Sequence, residues 1–231
     1  MPTLTSPLLS ADAKGQLGRN VIYYNRSGTK CARSYARPEA PPTDAQLGRR
    51  GVFGVVSKLF LGLNQVVGRS FFEASRGTPR TPSNEWGALN LAGATFDSDA
   101  ETVNVDNLRF SVPSVRPNNP LTLGAATGAN NILTVPVTWT NANAVDGATQ
   151  VRIIGVATKS VHGFGDYPVV AQAAQDIAVD AVAADVALDF GADYTDGAMV
   201  RVGIFLEYLT SAAPSRQLFT PDAVATIALP A

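Results

Sequence analysis

His162 is the single histidine of this 231-residue chain, set in V-H-G-F-G-D-Y with Asp166 four residues on. A His–Asp pair can relay a proton to a serine nucleophile. No nucleophile elbow surrounds any serine, so a solvated loop histidine is the better reading. Asp185 and Asp189 fall on one face of a strand, but four residues of strand hold them roughly 13 Å apart. That exceeds the reach of a two-carboxylate glycosidase pair. Asp97-x-Asp99-x-Glu101 has the carboxylate spacing of a calcium loop and lacks its glycine and closing Glu. Gly15-x-x-Gly18 has no Lys-Ser/Thr after it and no buried strand before it, so it is not a phosphate loop. Cys31 has basic neighbours, Lys30 and Arg33, that could lower a thiol pKa. A small residue on a strand is the simpler account. One cysteine allows neither an internal disulfide nor a thiolate metal cluster. No catalytic set, metal set or cofactor emerges, and the expectation is a protein that is not an enzyme.

A different chemistry is written more densely. Arg26, Arg33, Arg37, Arg49 and Arg50 lie among Tyr23, Tyr24 and Tyr35. Basic and stacking residues together suit single-stranded nucleic acid, and they equally suit an arm that lays arginines on acidic protein. Charge distribution separates the two. Residues 1–80 carry 12 Lys+Arg against 4 Asp+Glu, a balance of +8; residues 81–231 carry 6 against 15, a balance of −9. The net charge of −1 therefore hides two surfaces made to meet, within a protomer or between protomers. An acidic bulk would oppose a polyanion, so nucleic acid is the less favoured partner. The expected subunit-docking residues are Tyr23, Tyr24, Arg26, Arg33, Arg37, Arg49 and Arg50.

These residues need elements to hold them. Val21 to Tyr24 reads as a strand, Asn25-Arg26-Ser27-Gly28 as a turn, and Cys31 to Arg37 as the return strand. Two strands alone are marginal in water, so the hairpin must rest on another surface. Pro38, Pro41 and Pro42 stiffen an extended link. Thr43 or Asp44 then stands where an N-cap belongs. Leu47, Val55, Leu59, Leu63 and Val66 make one apolar helical face. Gly48, Gly51 and Gly54 recur every three residues, each costing up to about 1 kcal/mol relative to Ala. Phe71 and Phe72 suggest a second helical piece. Gly77, Pro79, Pro82 and Gly87 then break regular structure, and 77–105 reads as a linker with Trp86 pinned somewhere.

Beyond 106 the period becomes two. Leu133, Val135, Val137 and Trp139 alternate with polar or small neighbours, with Pro136 implying an open or bulged edge. Val151–Thr158, Val186–Phe190, Val200–Tyr208 and Ala223–Leu229 follow as strands, with weaker candidates at Leu108–Pro113 and Tyr167–Ala171. About seven strands separated by Asn, Asp and Gly turns suggest an immunoglobulin-like β-sandwich, with a jelly roll as the alternative. The expected organisation is mainly β: an extended basic arm with a β-hairpin over 1–42, a helical segment over 43–76, a linker over 77–105, and an immunoglobulin-like sandwich over 106–231. Met1-Pro2-Thr3-Leu4-Thr5-Ser6-Pro7 lacks the basic start and apolar run of a secretory signal. The apolar window Val52–Val67 is broken by Lys58, Asn64 and Gln65 and falls short of a span of roughly 20 residues, so no membrane partner is expected.

The run K-G-Q-L-G-R-N-V-I-Y-Y-N-R-S-G-T-K-C-A-R-S-Y-A-R-P, followed by P-P-T-D-A-Q-L-G-R-R, resembles the N-terminal signature of a family of uncharacterised proteins of phages and prophages of Bacteroidota-type hosts. Gly15, Gly18, Val21, Tyr23, Tyr24, Gly28, Arg33, Ser34, Pro38, Thr43, Gln46, Leu47 and Arg50 carry the likeness; the D-G-x-x-V-R-V-x-I-F-L strand at 196–206 extends it more loosely. Ser27-Gly28 stands where Asn-Gly is common, and 171–198 is unusually rich in Ala and Asp. The resemblance implies a virion structural protein, assembled in the host cytoplasm and acting in the particle. Its first expectation is a capsid decoration or head-associated subunit docking on major capsid or other virion subunits and on copies of itself. A tail or connector subunit is the alternative. So is a carbohydrate- or surface-binding sandwich, which would expose loop aromatics such as Trp86, Phe164 and Tyr167.

Overall fold

A computed structural model describes residues 15–17, 21–26, 29–34, 41–113, 121–139, 148–163, 166, 168–193, 195–210 and 217–230. The chain divides into two compact units, Met1–Thr43 and Asp44–Ala231. Among the described residues the protein is mainly β, with 45 % strand and 25 % helix, built from antiparallel sheets and two helices.

The first unit is a three-stranded antiparallel sheet in the order β1 (Gly15–Leu17), β2 (Val21–Arg26), β3 (Thr29–Ser34). Tyr24 pairs with Cys31 and Tyr23 with Ala32, so the two tyrosines face opposite sides of the sheet. Cys31 is buried, as a small strand residue should be.

The second unit begins with α1 (Asp44–Ser75), one unbroken helix of 32 residues. Asp44 in its first turn suits the positive helix end. The helix runs through Phe71 and Phe72, so no second piece forms there. The linker expected over 77–105 is instead structured. It holds α2 (Pro82–Asn90) and the hairpin β4 (Thr95–Asp97) and β5 (Thr102–Asn104). Pro82, read as a breaker, opens α2: Thr81 is the N-cap and its side chain accepts from the Asn84 N–H at 3.2 Å. Proline is tolerated there because the first-turn N–H has no helical partner.

The strands after 120, apart from one short strand, make two sheets. The outer one has the order β12 (Ala183–Asp189), β8 (Ile132–Thr138), β6 (Thr122–Leu123), with β7 (Thr127–Ala129) also on β8. The inner one has the order β11 (Val170–Ile177), β9 (Ala148–Lys159), β13 (Met199–Thr210), β14 (Gln217–Phe219), with β15 (Ala223–Ala228) also on β13. A short edge strand β10 (Val161–Gly163) joins β5. Leu108–Pro113, expected as a weak strand, forms none. Pro136 pairs with Asp185 on one side; on the other, β8 meets β6 at 137–138 and β7 at 132–134. Its missing N–H thus falls at the break between two partners, where its carbonyl accepts from Gly124 N at 2.7 Å.

The inner sheet is buried on both faces. Val151, Ile153, Val200, Val202, Ile204, Leu206 and Tyr208 pack with Leu133, Val135, Val137, Val186 and Leu188 of the outer sheet. Ile154, Val156 and Phe205 pack the other way, with Val55, Leu59, Leu63, Val67, Phe71 and Trp86. The body is therefore three layers: helices, inner sheet, outer sheet. One glycine sets the helix-side spacing. Gly203, paired with both Val156 and Val224, faces Phe110 so closely that a Cβ would collide with its ring.

Candidate docking surfaces

The expected docking residues fall in both units. In the first, Tyr24 and Arg33 lie on one face of the sheet, because Arg33 is registered to Ile22 and Tyr24 to Cys31. Tyr23 lies on the other face, opposite Ala32. Both tyrosines are half-buried and Arg33 is exposed. Arg26 is placed on β2 opposite Thr29. Arg37 lies outside the described residues, as do Phe164 and Tyr167. Arg49 and Arg50 belong to the body, both exposed in the first turns of α1.

Along α1 apolar side chains are also exposed, of which Leu47 alone belonged to the face read from periodicity. Phe53, Leu61 and Phe72 are 60 %, 69 % and 58 % exposed, and Leu47 is 37 % exposed. By length and composition α1 could cross a membrane, contrary to the expectation that its apolar window falls short. In this fold its opposite face is spent on the helix-side core. Near the start of α1 a groove of about 680 Å³ opens, lined by Gly48, Val52, Phe53, Leu91 and Phe96, with Asp44 and Arg49 at its polar side. Gly48 is what lets Phe96 lie against the helix, since a Cβ there would sit 2.9 Å from the ring.

The acidic residues gather elsewhere. On β12, Asp185 and Asp189 are exposed and point away from the core, alternating with buried Val186 and Leu188. Asp180, Asp193 and Asp196 are exposed in the adjoining turns. Asp97, Asp99 and Glu101 close the β4–β5 turn, where Asp97 Oδ1 accepts from the backbone N–H of Asp99 and Ala100 at 2.9 and 3.2 Å. Among the described residues no three His, Cys, Asp or Glu side chains converge as a metal set would.

Buried charges tie the layers together. Glu207, 1 % exposed, faces the helices between Arg69 of α1 at 3.6 Å and Arg152 of β9 at 3.7 Å. Arg152 also donates to Asp176 at 2.8 Å, and that bond holds the Asp176 carboxyl below the usual carboxylate range. Asp222 accepts from Arg109 Nε at 2.8 Å and from the Phe110 N–H at 2.6 Å. Neither acid was legible as buried from its position alone.

Trp86, expected to be pinned, is 1 % exposed and donates from Nε1 to the Val56 carbonyl at 2.8 Å; this core position counts against the surface-binding alternative, which needs it displayed. His162 is not solvated: it sits on β10, 5 % exposed, 3.2 Å from Thr158 Oγ1. Burial, which disfavours the imidazolium, pushes its pKa down to about 4. The unfolded chain titrates this group near 6.5, so it binds the proton first. The neutral histidine's contribution is complete above that value and is lost as pH falls from 6.5 towards 4, up to about 3 kcal/mol. Urea midpoints measured across that window should fall for the native chain and stay nearly level for His162→Gln. Parallel curves would assign the acid sensitivity elsewhere.

No family model, curated protein or solved structure matches this chain.

Proposed function

We propose that this protein is a non-enzymatic structural subunit of a tailed-phage virion, a capsid decoration or head-associated protein whose basic arm docks on neighbouring particle subunits while the body is displayed. The observation that carries this reading is the division of the chain at Thr43. Before it stands a sheet of three- to six-residue strands bearing Tyr23, Tyr24, Arg26 and Arg33. After it stands a body with two cores of its own. Three short strands are near the smallest sheet that can stand alone, and only with a hydrophobic face, so this one gains by lying on something larger. The resemblance of its residues to a phage- and prophage-associated family supports the same reading. We read the sandwich as immunoglobulin-like. The first, second and fifth of its strand positions (β6/β7, β8, β12) form one sheet, and the third, fourth, sixth and seventh (β9, β11, β13, β15) form the other, a Greek-key arrangement.

The test is gradient sedimentation of a producing lysate, with mass spectrometry of each fraction, for the native chain and for a deletion of residues 1–43. The native chain is expected in the megadalton, DNA-containing band and the deletion among small soluble species. A native chain found only as a small species would overturn the virion reading; a deletion that stays on the particle would overturn the arm's role. Deleting to residue 72 would not serve, because it removes most of α1 and with it the helix-side core.

A further inference from the structure

The layering of the body places two unlike surfaces on its opposite sides. The outer face of α1 carries Leu47, Phe53, Leu61 and Phe72, exposed, with Arg49 and Arg50 beside them. The outward face of β12 carries Ala183, Asp185, Ala187 and Asp189, all exposed, with Val182 and Asp180 at its edge. From residue 166 to 196 the chain has seven Asp and neither Lys nor Arg. Among the described residues Arg49, Arg50, Asp180 and Asp185 make no ion pair. The inner sheet, buried on both faces, stands between the two surfaces. One copy's helix face therefore cannot reach its own acidic sheet.

The geometry points to a head-to-tail contact between copies of this chain, the apolar and basic face of α1 in one copy seated on the Asp- and Ala-bearing face of β12 in the next. Charge complementarity selects that occupant. The β12 face offers Arg49 and Arg50 opposite charge, and its small side chains leave room for Phe53 and Leu61. Large apolar side chains exposed along the outside of a helix gain by being covered. A contact between two different faces is heterologous, so it closes into a ring or extends as a column. This goes beyond the virion reading, because it concerns the body alone and holds or fails whatever the arm docks on.

Sedimentation velocity of the full chain at low salt, about 50 mM, and at high salt, about 500 mM, reads the contact directly. Expected is mass that rises with concentration at low salt and returns towards the monomer at high salt. Arg49→Glu/Arg50→Glu and Asp180→Lys/Asp185→Lys, all at exposed positions, should each weaken self-association at least about tenfold. Mixed in equal amounts, the two variants should associate again, since each supplies the charge the other lacks. The arm is unchanged throughout, so its own binding cannot produce that rescue. A native chain monomeric at low salt, variants that associate like the native chain, or a mixture that stays apart would each overturn the head-to-tail contact.

Discussion

Trp86→Ala is expected to lower the stability of the body by about 3–5 kcal/mol, the range for removing a large buried aromatic. The side chain is 1 % exposed, and its ring lies 5.7 Å from Phe60, 5.3 Å from Phe71 and 6.2 Å from Phe110. Those neighbours come from α1 and from the extended stretch before β6, so the vacated space cannot be refilled by one side chain turning over. The Val56 carbonyl also loses its donor from Trp86 Nε1. A domain's whole margin is about 5–15 kcal/mol, so the loss would be a large fraction of it. Trp86→Phe keeps a ring in place and should cost clearly less, about 1–2 kcal/mol. Urea unfolding of both variants, followed by circular dichroism, measures the difference. A cost for Trp86→Ala below about 1 kcal/mol would mean that α2 is not part of the cooperative body.

That prediction also marks what a reader of the sequence could not reach. The long strands were legible because β9 and β13 are runs of apolar residues and β12 alternates strictly, and each signal is local. The start of α1 was legible from the prolines and Asp44. By contrast, α2 hides behind Gly77, Pro79, Pro82 and Gly87, which punctuate a loop and a helix start alike. Only the Thr81 cap and the burial of Trp86 decide between them, and burial depends on Phe60, Phe71 and Phe110, distant in the chain. The docking set was legible as chemistry but not as a place. Tyr23 and Tyr24 face opposite sides of their sheet, and Arg49 and Arg50 belong to a different unit from Arg33. The separation of basic from acidic residues was plain in the sequence. That α1 and β12 bear them on opposite layers follows only from both faces of β9 and β13 being covered.

The same covered sheet makes the response at Glu207 depend on which partner is removed. Arg152→Met is expected to destabilise the body by about 3–5 kcal/mol, because it leaves a carboxylate in the interior with one of its two cations gone. The remaining partner, Arg69, is half exposed and 3.6 Å away, too far for a short charge-assisted hydrogen bond. Loss of the exposed Arg152–Asp176 pair should add little, since solvent already screens it. Glu207→Leu removes the charge itself. It should be near neutral or even stabilising, because neither carboxylate oxygen has a hydrogen-bond partner among the described residues to give up. The double variant should therefore recover most of what Arg152→Met loses, a coupling that denaturant midpoints of the four proteins would show. If both single variants cost the same, Glu207 and Arg152 act as an attractive pair whose loss matters from either side. If Glu207→Leu is neutral and rescues Arg152→Met, the acid contributes placement more than stability: it fixes where Arg69, and with it the C-terminal half of α1, sits on the inner sheet. In that case Glu207→Leu should leave folding intact yet weaken self-association through the outer face of α1, which joins this buried charge to the proposed contact between copies.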